Sequence, residues 1–238
     1  MAITPLITGQ TKIRGNWHLA VTADMVLQRQ GANARKVRLR QPRLVALAER
    51  AIAEGQSWIR PEAAYRILKI REVKPALVIL GNGTELQGPG IAQKLAGAEF
   101  AIATVATVGP QIEREILHAT KEDPAFGLAL DGYATAAVGA LIVELRRYLA
   151  HLAERAKLTT TTPLYPGTND WELAAAQTEL FSLVDAASIG VRLTASFLMR
   201  PCKSVSMVIG AGVKMTASGE PCEECGASST CRHKLSNS

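Results

Sequence analysis

The chain has 238 residues, 47% hydrophobic and 5% aromatic, enough to bury a sizeable core in one large domain or two small ones, and this excludes extensive disorder away from the ends. Its formal charge of +6 favours an acidic partner. The basic cluster Arg29, Arg35, Lys36, Arg38, Arg40 and Arg43 lacks interleaved aromatics and any recognition-helix pattern, so it reads as a solvated face or a docking surface for an acidic protein, with nucleic acid set aside. There is no basic-then-apolar leader and no uninterrupted apolar run of about 20 residues, so a soluble, cytoplasmic protein with no membrane partner is expected.

From Trp17 to Gln30, Leu19, Val21, Met25 and Val26 recur at loose helical intervals before Gly31, predicting a short packed helix. Pro42 then suits a first helical turn, and Leu44, Val45, Leu47, Ala48, Ala51 and Ile52 form one apolar face ending at Gly55. Two strands are expected between Ala64 and Leu80, divided at Lys74-Pro75. Gly81, Gly83, Gly88 and Gly90 follow as a turn-rich crossing without phosphate-loop or dinucleotide spacing.

Glu99 to Val108 is small, β-branched and apolar, a buried strand, and Gly109-Pro110 opens a helix through His118. Ala125 to Ala156, free of proline, should be the longest helix. The threonine run Thr159–Thr162 ends at Pro163, with Pro166-Gly167 just beyond, and marks the passage into a second part. Leu173 to Asp185 is helical again, and Ser204 to Ile209 alternates as a half-buried strand does.

Four blocks in the second part carry a resemblance: Tyr165-Pro-Gly-Thr-Asn-Asp-Trp171; the helix holding Gln177, Leu180 and Phe181; Ile189-Gly-Val-Arg-Leu-Thr194 with Ser196; and Pro201-Cys-Lys-Ser-Val-Ser206. In order and spacing they resemble the C-terminal half of the activation domain of cobalamin-dependent methionine synthase. Gly97-Ala-Glu99, Ala106-Thr-Val-Gly109 and Leu130-Asp-Gly-Tyr-Ala-Thr-Ala136 resemble free-standing relatives of that domain. The resemblance implies an α/β (α+β) fold with a curved, mainly antiparallel sheet flanked by helices. It also implies S-adenosylmethionine binding, docking over a cobalamin-binding protein, and reductive reactivation of oxidised cobalamin. Tyr165, Pro166, Gly167, Asp170, Lys203 and Ser204 are the candidate cofactor-binding residues.

Pro166-Gly167 permits a tight turn whose backbone approaches a ligand closely, and Asp170 is suited either to accept from a ligand amino group or to cap the following helix. That family places an arginine shortly before the Pro-Gly pair and a tyrosine directly after Gly. Pro163 and Thr168 stand in those neighbourhoods here, which removes a charge-assisted contact worth about 1.5–3 kcal/mol.

Cys222-Glu-Glu-Cys225 with Cys231 beyond brings thiolates onto one turn, as a metal site requires, and resembles cysteine-containing tails of the free-standing relatives. Cys202 as a fourth thiolate gives an iron–sulfur cluster; His233 instead gives a zinc site with three cysteines and one histidine. His18, His118 and His151 are isolated, and no Ser-His-Asp set or paired-carboxylate hydrolase pattern appears.

The expected organisation is an activation-like domain over 1–215, in parts 1–158 and 159–215, followed by a metal-binding tail over 216–238. Three functions stay open: an accessory factor that assists reductive activation or methyl transfer on a corrinoid-binding protein, with a redox partner; a docking subunit of a methyltransferase complex with structural zinc; and a reactivation enzyme that binds S-adenosylmethionine.

Overall fold

The computed structural model of the chain describes residues 9–168 and 171–215. Its centre is a seven-stranded antiparallel sheet. Along the sheet the order is β4 (Glu85–Gln87), β3 (Leu77–Leu80), β2 (Glu62–Lys74), β5 (Phe100–Thr107), β9 (Ser204–Gly212) and β6 (Thr159–Thr160), and β1 (Lys12–Arg14) also pairs with β2. β2 meets β5 from Glu62↔Thr107 to Lys69↔Phe100, and β5 meets β9 from Phe100↔Ala211 to Thr107↔Ser204. A register shift between Ile70 and Glu72 interrupts the β2–β3 ladder and bends the long strand.

The three central strands are apolar on both faces because helices cover both. Successive side chains of a strand alternate, so Ala63, Tyr65, Ile67, Ile102, Met207 and Ile209 join one core while Ala64, Leu68, Ala101, Ala103, Val105 and Val208 join the other. The first core lies under α1 (Ala23–Arg29), α3 (Pro42–Gly55), α5 (Gln111–Glu122) and α6 (Pro124–Arg155). The second is closed by α4 (Pro89–Lys94), α7 (Leu173–Leu183) and a 3₁₀ turn over Ala186–Ile189, around Trp171.

α6 starts at a Pro in the first turn behind Asp123, whose carboxylate accepts from Phe126 N, and runs 32 residues, about 48 Å at the usual rise. By length and composition it is apolar enough to cross a bilayer although Asp131 interrupts its apolar run, and 61% of its most apolar window is buried within the protein. It is the core helix of this fold.

Several elements differ from the sequence expectations. The first helix begins only at Ala23, capped by Thr22, and residues 17–22 are irregular. The basic stretch contains α2 (Ala34–Arg40), capped by Asn33; its arginines are exposed, and Arg38 pairs with Asp24 at 2.7 Å. The glycine-rich crossing holds β4 and α4, with Gly83 and Gly88 at positive φ, and α5 runs on to Glu122. α7 is capped by Glu172, which accepts from Ala174 and Ala175 N–H, and this replaces the expected Asp170 cap. The two-residue strands β7 (Arg192–Leu193) and β8 (Met199–Arg200) pair with each other.

Candidate functional site

The threonine run follows the edge of β9. Thr159 and Thr160 pair with Gly212 and Ala211, Thr161 N donates to Gly210 O, and Leu164 bridges Val208. Beyond it the chain turns: Thr168 N donates to Tyr165 O at 3.2 Å, with Pro166 and Gly167 in the middle and Gly167 at φ +82°. Proline second and a left-handed glycine third are the requirements of a type II turn. The Thr168 hydroxyl also donates to Tyr165 O, and Tyr165 packs against the α6-side core. Asp170 lies outside the described residues.

Trp171 follows, 1% exposed, with its indole N–H on Glu179 Oε2 at 3.2 Å, while Glu179 Oε1 accepts from Gln87 N at 2.9 Å. Burial pushes the Glu179 carboxyl above its ordinary range, and the two donors oppose that rise. Gln177 on the same helix accepts from the buried Ser206 hydroxyl, which ties this helix to β9.

Lys203 and Ser204 are bonded within the protein. The Lys203 ammonium lies 2.7 Å from Asp131 Oδ1 and donates to Thr135 Oγ1 at 2.8 Å, and its backbone N–H donates to Glu113 Oε1. Ser204 Oγ lies within hydrogen-bonding distance of Thr107 Oγ1 and Pro201 O. The block Leu130–Ala136 is thereby fastened to the block Pro201–Ser206. Val208, where the turn leaves the strand, is four residues from Ser204, about 13 Å along β9, so Lys203 and the Pro-Gly turn occupy separate places on the sheet.

Beside the threonine run the structure has a cleft of about 320 Å³, lined by Val143, Arg146, Arg147, Ala150, Thr160, Thr161 and Ile209. Arg147 is held by Glu144; Arg146 has no carboxylate partner among the described residues. Ile209 places the cleft on the same face of β9 as the α6-side core. The cleft combines one unpaired guanidinium, a hydroxyl edge and an apolar floor, which suits a carboxylate attached to a larger body. In the sequence Arg146 and Arg147 are two basic residues of the long helix and no more; only the return of β6 alongside α6 turns that surface into a concavity.

Cys202 is exposed and accepts from Arg200. Cys222, Cys225, Cys231 and His233 lie outside the described residues, and among the described residues no group of three metal-ligating side chains occurs.

Together the sheet, its helices and this edge define an activation-domain-like α/β protein. No family model matches the sequence, and no curated protein matches it. Among solved structures it is similar to the MetH reactivation domain bound to AdoHcy, with a TM-score of 0.61 and 13% identity over 87% of this chain and 80% of that one. The chain has the fold of the methionine synthase activation domain.

Proposed function

We propose that this protein is an accessory factor for a corrinoid-binding protein, assisting reductive activation or methyl transfer at cobalamin that the partner holds. The supporting observation is a fold shared across most of both chains with a reactivation domain. The test is to mix the protein with a cobalamin-binding fragment of methionine synthase in the cob(II)alamin state, adding a reduced flavoprotein as electron source. The expected outcome is a stable complex and faster loss of the cob(II)alamin electron-paramagnetic signal. Absence of both removes the proposal.

A second reading is favoured by the cleft at Arg146. S-adenosylmethionine, when bound, supplies an electrophilic methyl group, and the solved relative holds AdoHcy. Here Arg146 would bind the carboxylate and Thr160 and Thr161 would line the cleft, with the turn at Tyr165, Pro166 and Gly167 farther along the same edge of β9. The cleft volume stands at the small end of the usual range for ligand sites, about 300–1,000 Å³. Arg146 would thus stand in for the arginine missing before the Pro-Gly pair. Calorimetry with AdoHcy should show binding that weakens about tenfold or more in Arg146→Ala, a charge-assisted hydrogen bond being worth about 1.5–3 kcal/mol.

For the tail, Cys222, Cys225 and Cys231 are proposed to hold an iron–sulfur cluster with Cys202, or zinc with His233. The exposure of Cys202 supports its availability. Iron, sulfide and zinc content of anaerobically purified protein, and of a variant lacking Cys222 and Cys225, separates a redox relay from a structural zinc.

A further inference from the structure

A second cavity, of about 220 Å³, lies far along the sheet from the threonine edge, between residues 17–22, the C-terminal end of α3 and the start of β2. Its walls are the side chains of Trp17, Leu19, Val21, Ile52, Ile59 and Pro61. Its polar groups are His18, Gln56 and Tyr133, and no Asp, Glu, Lys or Arg lines it. Residues 17–21 make no backbone–backbone hydrogen bonds among the described residues, so the segment also presents free amide edges.

Tyr133 is the group that distinguishes this cavity from an ordinary surface dent. Its side chain reaches the cavity because residue 55 is glycine: a Cβ there would stand 2.5 Å from the Tyr133 ring carbon Cδ1. The residue is 2% exposed, yet its hydroxyl has no hydrogen-bond partner among the described residues. The sealed, unpartnered side-chain atoms of the described residues are Arg66 Nε and Thr104 Oγ1, so the Tyr133 hydroxyl is open to the cavity that it lines. Burial pushes its phenol up to about 12, so it stays a neutral donor across the physiological range.

We propose that this cavity binds a small, neutral, flat heteroaromatic molecule of one or two fused rings, its ring body between the Trp17 and Ile52 walls and its polar edge on the Tyr133 hydroxyl. Neutrality follows from the uncharged lining. The size limit follows from the volume, which lies below the usual range of about 300–1,000 Å³ for larger ligands. An aromatic ring body suits the apolar lining of Trp17, Leu19, Ile52 and Pro61, where an indole offers a stacking partner. The site is independent of the corrinoid partner and of the cleft at Arg146.

The test uses the full chain with benzimidazole, indole and adenine as probes and benzoate as a charged control, followed by saturation-transfer NMR and calorimetry. At least one neutral probe should bind, and benzoate should bind more weakly. Tyr133→Phe keeps the ring and removes the hydroxyl, and it should weaken binding by about tenfold, the upper range for one neutral hydrogen bond. Ile52→Trp, which fills the slot and leaves Tyr133 intact, should abolish binding. Thermal melts of both variants verify folding. If no neutral probe binds at millimolar concentration, the hydroxyl is served by water alone and the proposal is overturned. Equal binding by Tyr133→Phe, or by benzoate, overturns it as well.

Discussion

The Lys203 ammonium touches Asp131 and Thr135 while its side chain is only 17% exposed, against 49% for Asp131. That geometry gives Lys203 a structural task whether or not a ligand also approaches it. A double-mutant cycle on Lys203→Met and Asp131→Asn should return a coupling of about 0.5–1.5 kcal/mol in urea unfolding, since one partner is half exposed and screened by water. A coupling near zero would free Lys203 for a ligand role. The alternation around Ser204 was readable as a strand, but the partner of Lys203 stands 72 residues upstream on a helix, and nothing local encodes that pairing. Two tyrosines give a second prediction. Burial first, then the hydrogen bond that the Tyr65 hydroxyl shares with Tyr148, raises the Tyr65 phenol, and burial raises Tyr133 to about 12. The folded state therefore keeps these phenols protonated after the unfolded chain ionises. Their contribution is fully present below about pH 10, where the unfolded phenols titrate, and is lost as pH rises through the folded values; each tenfold difference in proton affinity between the two states is worth about 1.4 kcal/mol. Urea midpoints measured from pH 9 to 11.5 should fall, and fall less steeply in Tyr133→Phe.

At the scale of elements, α6 is fitted to its neighbours through glycines. Gly127 faces α5: a Cβ would lie 2.3 Å from Thr120 Oγ1 and 2.6 Å from Thr120 Cα, a contact with backbone that a rotamer change cannot relieve. Glycine to alanine inside an exposed helix is stabilising by about 1 kcal/mol, but here the sign reverses. Gly127→Ala should destabilise by about 1–3 kcal/mol, the cost of overpacking, measured by thermal or urea unfolding. A stabilised variant would show that the α5–α6 crossing is looser than the structure has it. The same helix shows why some elements were legible and others not. α3, β5 and α6 are each eight residues or longer and declare themselves through an apolar face or a stretch of small, β-branched and apolar residues. β1, β6, β7 and β8 are two or three residues long, too short for any period to register, and depend on a neighbouring strand. Residues 17–22 carry apolar side chains at intervals that mimic a helix, but those side chains line a cavity from an irregular segment.

At the scale of the molecule, three of the resemblance blocks meet β9 at separate places: the turn after Leu164 beside its edge, the helix of Gln177 through Ser206, and Lys203 at its start. What stayed hidden was the cleft at Arg146, because a concavity exists only once β6 returns alongside α6, more than ten residues on. The two cores also bear on the tail. Among the described residues both cores lie within 17–215, so a chain ending at Met215 keeps all of these core residues. If 216–238 is an appended metal-binding unit, that truncation should melt within about 3 °C of the full chain, since about 1 kcal/mol corresponds to about 2–4 °C at this size. It should also lose its bound metal and keep its affinity for the cobalamin-loaded partner, while electron delivery to cobalt slows. A larger fall in melting temperature would make the tail part of the folded domain, and the metal, whichever it is, would then be a support for the sheet edge instead of a relay to the corrinoid.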